Sequence, residues 1–115
     1  MDFSIKVSEK GRIALIQVQG DVDMLTSPDL RDSLVPFFRQ DMKGIVVELS
    51  GVTFMDSSGI ATLVEGLQWS KKQERGFILV APGQNVMNAL TLTKLDQIFT
   101  IKADSRDAFE EINQG

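Results

Sequence analysis

The chain has 115 residues, net charge −4, 43% hydrophobic and 24% charged residues, which bounds it to one ordinary globular domain over 1–115 with a single core. Its zero cysteines and zero histidines exclude disulfides, thiolate nucleophiles, Ser-His-Asp triads and Cys- or His-ligated metal sites. The acidic balance and the scatter of its twelve basic residues argue against nucleic acid. No run approaches the ~18 consecutive apolar residues of a membrane span, and Met1 to Lys6 lacks the pattern of a secretory signal. The expected residence is the cytoplasm.

Phe3-Ser4-Ile5-Lys6-Val7-Ser8 alternates as a half-buried strand. Glu9 to Arg12 turns the chain at Gly11, and Ile13 to Gly20 returns it, with Ala14, Ile16 and Val18 on one face. The fold therefore opens with a hairpin. Ser27-Pro28-Asp29 reads as a helix start, with Ser27 as N-cap and Pro28 at the first helical position. Leu30, Leu34, Phe37 and Phe38 follow at helical spacing, and Pro36 predicts a kink or an early end.

Gly44 to Leu49 is a nearly continuous apolar run, the pattern of a central strand covered on both faces. A second helix is predicted from Ser57 or Ser58 to about Gln73, a buried strand over Phe77 to Ala81, and a turn at Pro82-Gly83. A short helix carrying Val86, Met87, Ala89 and Leu90 comes next, then a strand at Phe99 to Ile101 and a final helix over Ser105 to Asn113. The order β-β-α-β-α-β-α-β-α specifies an α/β fold, a mixed, mostly parallel sheet packed with about four helices.

Functional loops in such sheets lie beyond the carboxyl ends of the strands. Two acidic stretches fit: Gly20-Asp21-Val22-Asp23, and Thr53-Phe54-Met55-Asp56-Ser57-Ser58-Gly59. At the second a helix begins, so free backbone N–H groups and the positive end of the helix dipole face that point. A phosphate on a serine there is tolerated locally and adds about 1.5 to 2 negative charges, which a docked partner would have to desolvate. Asp56 or Ser57 serving only as N-cap, and Asp21 and Asp23 only as turn residues, are the plainer alternatives. A helical wheel puts Ile60, Leu63, Val64 and Leu67 toward the sheet and Trp69 nearly opposite, with Thr62 and Glu65 close to it. Trp69 is thus a candidate anchor for a partner or a homodimer, or else is covered by a neighbouring helix. Gly66 either permits close helix packing or is an ordinary surface glycine, and Met42, Met55 and Met87 read as core fillers.

Three stretches together resemble the STAS domain family, and within it the single-domain anti-sigma factor antagonists. They are Gly20 to Asp23 with Pro28-Asp29-Leu30; Val46-Val47-Glu48-Leu49-Ser50-Gly51-Val52-Thr53-Phe54-Met55-Asp56-Ser57-Ser58-Gly59-Ile60; and Leu90 through Leu95-Asp96 to Phe99 with Ala108. The resemblance implies that the serine before Gly59, Ser58, is phosphorylated by a cognate anti-sigma factor serine kinase, with Ser57 as the alternative acceptor. It implies that the unphosphorylated form binds the kinase and frees a sigma factor, and that a phosphatase reverses the change. Residues matching Asp23 and Asp56 lie near the acceptor in that family, Asp21 being a looser match; the expected partner surface comprises Asp21, Asp23, Asp56, Ser57, Gly59, Thr62, Glu65 and Trp69. A scaffold or regulatory subunit of a larger signalling or transport complex is the second reading. An enzyme or aspartyl-phosphorylated receiver is disfavoured by the hairpin opening and by the absence of a histidine base. No metal or cofactor is implied, and no Gly-Lys-Ser/Thr phosphate loop occurs.

Overall fold

The computed structural model describes residues 3–114; Met1, Asp2 and Gly115, included in the expected domain, lie outside the described residues. The elements in chain order are β1 (Ser4–Lys10), β2 (Ile13–Val22), α1 (Ser27–Phe38), β3 (Gly44–Met55), α2 (Ser57–Lys72), β4 (Gly76–Val80), α3 (Gln84–Leu92), β5 (Thr100–Lys102) and α4 (Ser105–Gln114), with a 3-10 turn at Leu95–Gln97. The predicted order holds. One five-stranded sheet runs β1-β2-β3-β4-β5, antiparallel at β1-β2 and parallel elsewhere. The hairpin turns on Gly11 and Arg12, whose φ values of 57° and 66° are the paired left-handed conformation that lets a two-residue turn follow the strand twist. Arg12 bears that conformation while its guanidinium grips Asp41, with Nη2 2.7 Å from Oδ1.

Strand alternation sorts the apolar side chains onto two faces. Ala14, Ile16, Val18, Ile45, Val47, Leu49 and Leu79 pack with α1, α2 and α3 in the main core. Ile13, Val46, Ile78 and Val80 form a smaller cluster under α4 with Ala108 and Ile112. This two-sided covering is why β3 and β4 read as unbroken apolar runs. Met42 and Met55 are buried and Met87 packs partly against the same core, as fillers.

Some boundaries differ from expectation. The N-cap of α1 is Thr26 rather than Ser27, so Pro28 occupies the second helical position. Pro36 does not end α1 at once; the helix runs two residues past it to Phe38, less than one further turn. Most consequential, β3 does not stop at Leu49 but continues to Met55, and β2 continues to Val22. Ile13 pairs with Gly44 whereas Val22 pairs with Met55, so β3 carries two extra residues, absorbed at register shifts opposite Gln17/Gln19 and Gly20/Asp21. Because of these bulges the inward positions run Ile45, Val47, Leu49, then Val52, then Met55: each extra residue resets the alternation so that the same face stays buried. Gly20, with φ 95°, takes a backbone conformation at the second shift that a side chain would resist. The bulged strands carry both acidic stretches to the same end of the sheet.

Candidate functional site

Asp56 is the pivot. It leaves β3 in extended conformation (φ −90°, ψ −173°) and caps α2, its Oδ1 accepting from the backbone N–H of Ser58 at 2.8 Å and of Gly59 at 3.3 Å. A carboxylate suits this position because it satisfies orphan donors and complements the positive helix end. The same Oδ1 accepts the Ser58 hydroxyl at 2.5 Å. That bond, followed by the backbone donors of Ser58, Gly59 and Met24, holds the Asp56 carboxyl below its ordinary value of 3.8. Asp56 is therefore ionised at neutral pH and holds the Ser58 hydroxyl through its proton. Ser58 is partly buried and Ser57 exposed.

Pairing of β2 with β3 ties in the first acidic stretch. Asp23 organises the link from β2 to α1: its Oδ1 accepts from the N–H groups of Leu25 (2.9 Å) and Thr26 (3.2 Å). Its own N–H donates to Thr26 Oγ1 at 2.9 Å, and that hydroxyl donates to the Asp21 carbonyl at 2.9 Å. The Asp56 N–H in turn donates to the Val22 carbonyl at 3.0 Å. Asp23, Asp56, Ser57 and Ser58 are thus brought to one end of the molecule, with Asp23 acting on the shape of the turn rather than touching Ser58.

Other candidates fall elsewhere. Asp21 pairs with Phe54 on the sheet and alternates with buried Val22, so its side chain lies on the face away from α2, where it accepts from Thr53 Oγ1 at 2.6 Å. Gly59 is buried, and a Cβ there would lie 2.6 Å from Met55 Cγ and 2.7 Å from Val22 Cγ1. Its role is to let α2 approach the strand ends. Thr62 does not face outward beside Trp69: it is buried and donates to the Ser58 carbonyl one turn back, at 3.0 Å. Glu65 pairs with Arg31 of α1 at 2.6 Å. Trp69 lies roughly three turns, about 16 Å, along α2 from Ser58. The edge-on Phe38 ring, with centroids 4.8 Å apart, and the Arg31 guanidinium, 5.4 Å from its ring centre, partly cover it. A neighbouring helix covers that side, as the alternative expectation had it. Gly66 is a close-packing position, because a Cβ would come 2.8 Å from the Phe77 ring.

The reading by motif missed three residues around Asp56. Met24, Leu25 and Leu92 are 77%, 87% and 84% exposed, the three most exposed large apolar side chains among the described residues. Leu92 had a legible signal: Val86 and Leu90 form the buried stripe of α3, and Leu92 falls off it. Beside Leu92 an apolar hollow of about 210 Å³ is lined by Met55, Asp56, Ser57, Ile60, Ala89 and Thr93. Among the described residues no His/Cys/Asp/Glu group has metal-binding geometry, and no helix is long and apolar enough to cross a membrane.

The STAS domain family matches residues 4–108, nearly the whole described chain. This protein belongs to the STAS domain family. Among its relatives, an anti-sigma-B factor antagonist of Bacillus subtilis (strain 168) is 27% identical over 105 residues, spanning 91% of this chain and 95% of that one. An anti-sigma factor antagonist from Mycobacterium paratuberculosis superimposes with TM-score 0.86 at 26% identity, covering 97% of this chain and 95% of the other. SpoIIAA, an anti-sigma factor antagonist solved in its unphosphorylated form, superimposes with TM-score 0.85 over 97% of this chain and 98% of its own; at 18% identity that likeness is one of fold. The Bacillus cell fate determinant SpoIIAA in its phosphorylated form superimposes with TM-score 0.76 at 17% identity, covering 95% of this chain and 97% of its own, again a likeness of fold. The STAS fold thus accounts for the sheet order and for the helix start at Ser57.

Proposed function

We propose that this STAS domain is a cytoplasmic anti-sigma factor antagonist without catalysis of its own, switched by phosphorylation of Ser58. In this reading the unmodified protein binds an anti-sigma factor that is also a serine kinase, which frees a sigma factor. Transfer of phosphate to Ser58 ends the binding, and a cognate phosphatase restores it. Ser57 is the neighbouring alternative acceptor.

The observation that carries the proposal is the Ser58 hydroxyl donating to the Asp56 carboxylate at the start of α2. In the unmodified state that hydroxyl is satisfied within the protein, so a partner covers it with little loss of hydration. A phosphoserine has no proton to give the carboxylate and sets a near-dianion against it. The phosphate competes with Asp56 for the N–H groups of Ser58 and Gly59, a helix N-terminus being suited to either anion. The scaffold beneath is held by strand pairing and the two cores, so the charge changes the surface and leaves the domain folded. The names of its relatives support the same reading: the curated relative and the superimposable structures are anti-sigma factor antagonists.

The test is incubation with ATP and the co-purified kinase, then mass spectrometry of the peptide spanning Phe54 to Lys71. Phosphate on Ser58 is the expected result. Phosphate confined to another residue, or one lost on hydroxylamine treatment as an acyl phosphate, would refute the assignment.

A further inference from the structure

We propose that the cleft between the last turns of α1 and α2 binds a small apolar carboxylate, its body against Trp69 and Phe38 and its charge between Arg39 and Lys72. The site stands apart from the Ser58 switch: Trp69 lies near the opposite end of α2, so a bound ligand leaves the Ser58 end open.

The cleft measures about 270 Å³ and is lined by Val35, Phe38, Arg39, Trp69, Lys72 and Gln73. That is just under the ~300–1,000 Å³ of sites for drug-sized ligands, so it suits a single ring or a short chain. Phe38 is buried, whereas Val35 and Trp69 are half-buried and keep apolar surface toward the cleft. Its walls are already fixed. The Phe38 and Trp69 rings meet edge to face with centroids 4.8 Å apart. Gln73 Nε2, just past the end of α2, donates to the carbonyl of Phe38 at the end of α1, at 2.7 Å. Walls held in this way lower the ordering cost of binding.

The charge at the rim has one sign. Arg39 and Lys72 are exposed, and neither side chain forms an ion pair or hydrogen bond among the described residues. Among the described residues no acidic side chain lines the cleft. Glu65, the acidic residue of α2, pairs with Arg31 at 2.6 Å, and Asp29 and Asp32 lie in the first half of α1. Cations at a helix C-terminus ordinarily serve its free carbonyls. Here other donors do so. Arg75 Nη1 donates to the Phe37 carbonyl at 2.9 Å, and the backbone N–H groups of Gln73 and Arg75 donate to the carbonyls of Trp69 and Ser70. Arg39 and Lys72 are left to meet an anion from outside. Two helix C-termini present no cradle of N–H groups of the kind a phosphate draws on, so a monoanion with an apolar body is the better match.

The test follows the emission of Trp69, the chain's one tryptophan, as phenylacetate is added to the full chain at constant ionic strength. A saturable shift is expected. Phenylacetamide, the same shape without the charge, and acetate, the charge without the ring, should each bind about tenfold more weakly or worse. Arg39→Gln and Lys72→Gln should each weaken phenylacetate binding about two- to fivefold, and the double variant about tenfold. Lys6→Gln, on β1, should leave it unchanged. Thermal unfolding establishes that the variants are folded. A linear response without saturation, or equal affinity for phenylacetamide, would overturn the proposal. Wild-type affinity in the double variant would also overturn it, by placing the ligand on another surface. Ser58→Asp should bind phenylacetate as the wild type does; a loss of binding there would overturn the separation of this site from the switch.

Discussion

At the scale of single residues, Asp56 does two things with one carboxyl group: it caps α2 and holds the Ser58 hydroxyl. Its lowered pKa ties these to acidity. A carboxyl held below its unfolded value contributes stability that is fully present above the unfolded value and is lost as pH falls through the folded one. The acid limb of the stability curve should therefore begin near the ordinary value of 3.8 and extend below it. Asp56→Asn removes the charge while keeping the side-chain shape, so its urea midpoint should be lower than wild type at pH 7. The gap should narrow as pH falls through the lowered folded-state value of the Asp56 carboxyl. Parallel pH profiles for the two proteins would show that the carboxylate contributes nothing as an anion. Ser58→Ala should still bind the kinase and take no phosphate, whereas Ser58→Asp should bind poorly; calorimetry and mass spectrometry check both.

At the scale of elements, α2 is the lever on which the site sits, and its contacts are set by small residues. Gly59 and Gly66 let it approach the strand ends and Phe77. Replacing Gly66 by alanine gains about 1 kcal/mol of helix propensity but drives a methyl group into the Phe77 ring. Overpacking of that kind costs about 1–3 kcal/mol, so Gly66→Ala should be destabilising on balance. A raised urea midpoint would mean that Phe77 can move aside. Trp69→Ala removes the contacts with Phe38 and Arg31, and its cost should be on the order of 2 kcal/mol, below that of a fully buried aromatic. Because Trp69 lies near the opposite end of α2 from Ser58, phosphorylation kinetics should be unchanged in that variant; slowed transfer would place Trp69 in the kinase interface after all.

At the scale of the whole molecule, an apolar core on each face of one sheet would support the proposed surface switch, because the charge would be added outside both. Leu90, fully buried in α3, is a sensitive probe of that core, and Leu90→Ala should cost about 2–5 kcal/mol by denaturant unfolding. Light scattering on the unmodified chain should find a monomer or small dimer, as expected for a protein that trades one partner for another. A large assembly would favour the scaffold reading.

The amino-acid sequence alone determined the element order and the placement of Ser58 at a helix start. Apolar period, capping residues and turn residues are local properties, written within a few positions of where they act. The Asp56-Ser57-Ser58-Gly59 run was legible for the same reason: an N-cap and the residues it caps are neighbours in the chain. Only the tertiary structure decided that β3 runs on to Met55, because its bulges exist only against β2 and break the alternation by which a strand is read. Only the tertiary structure turned Asp21 away from Ser58, buried Thr62 and Gly59, and brought Leu92 beside Ser57 across more than thirty residues of chain. Pairing register and helix docking fix those outcomes, and neither is a property of any short stretch of sequence.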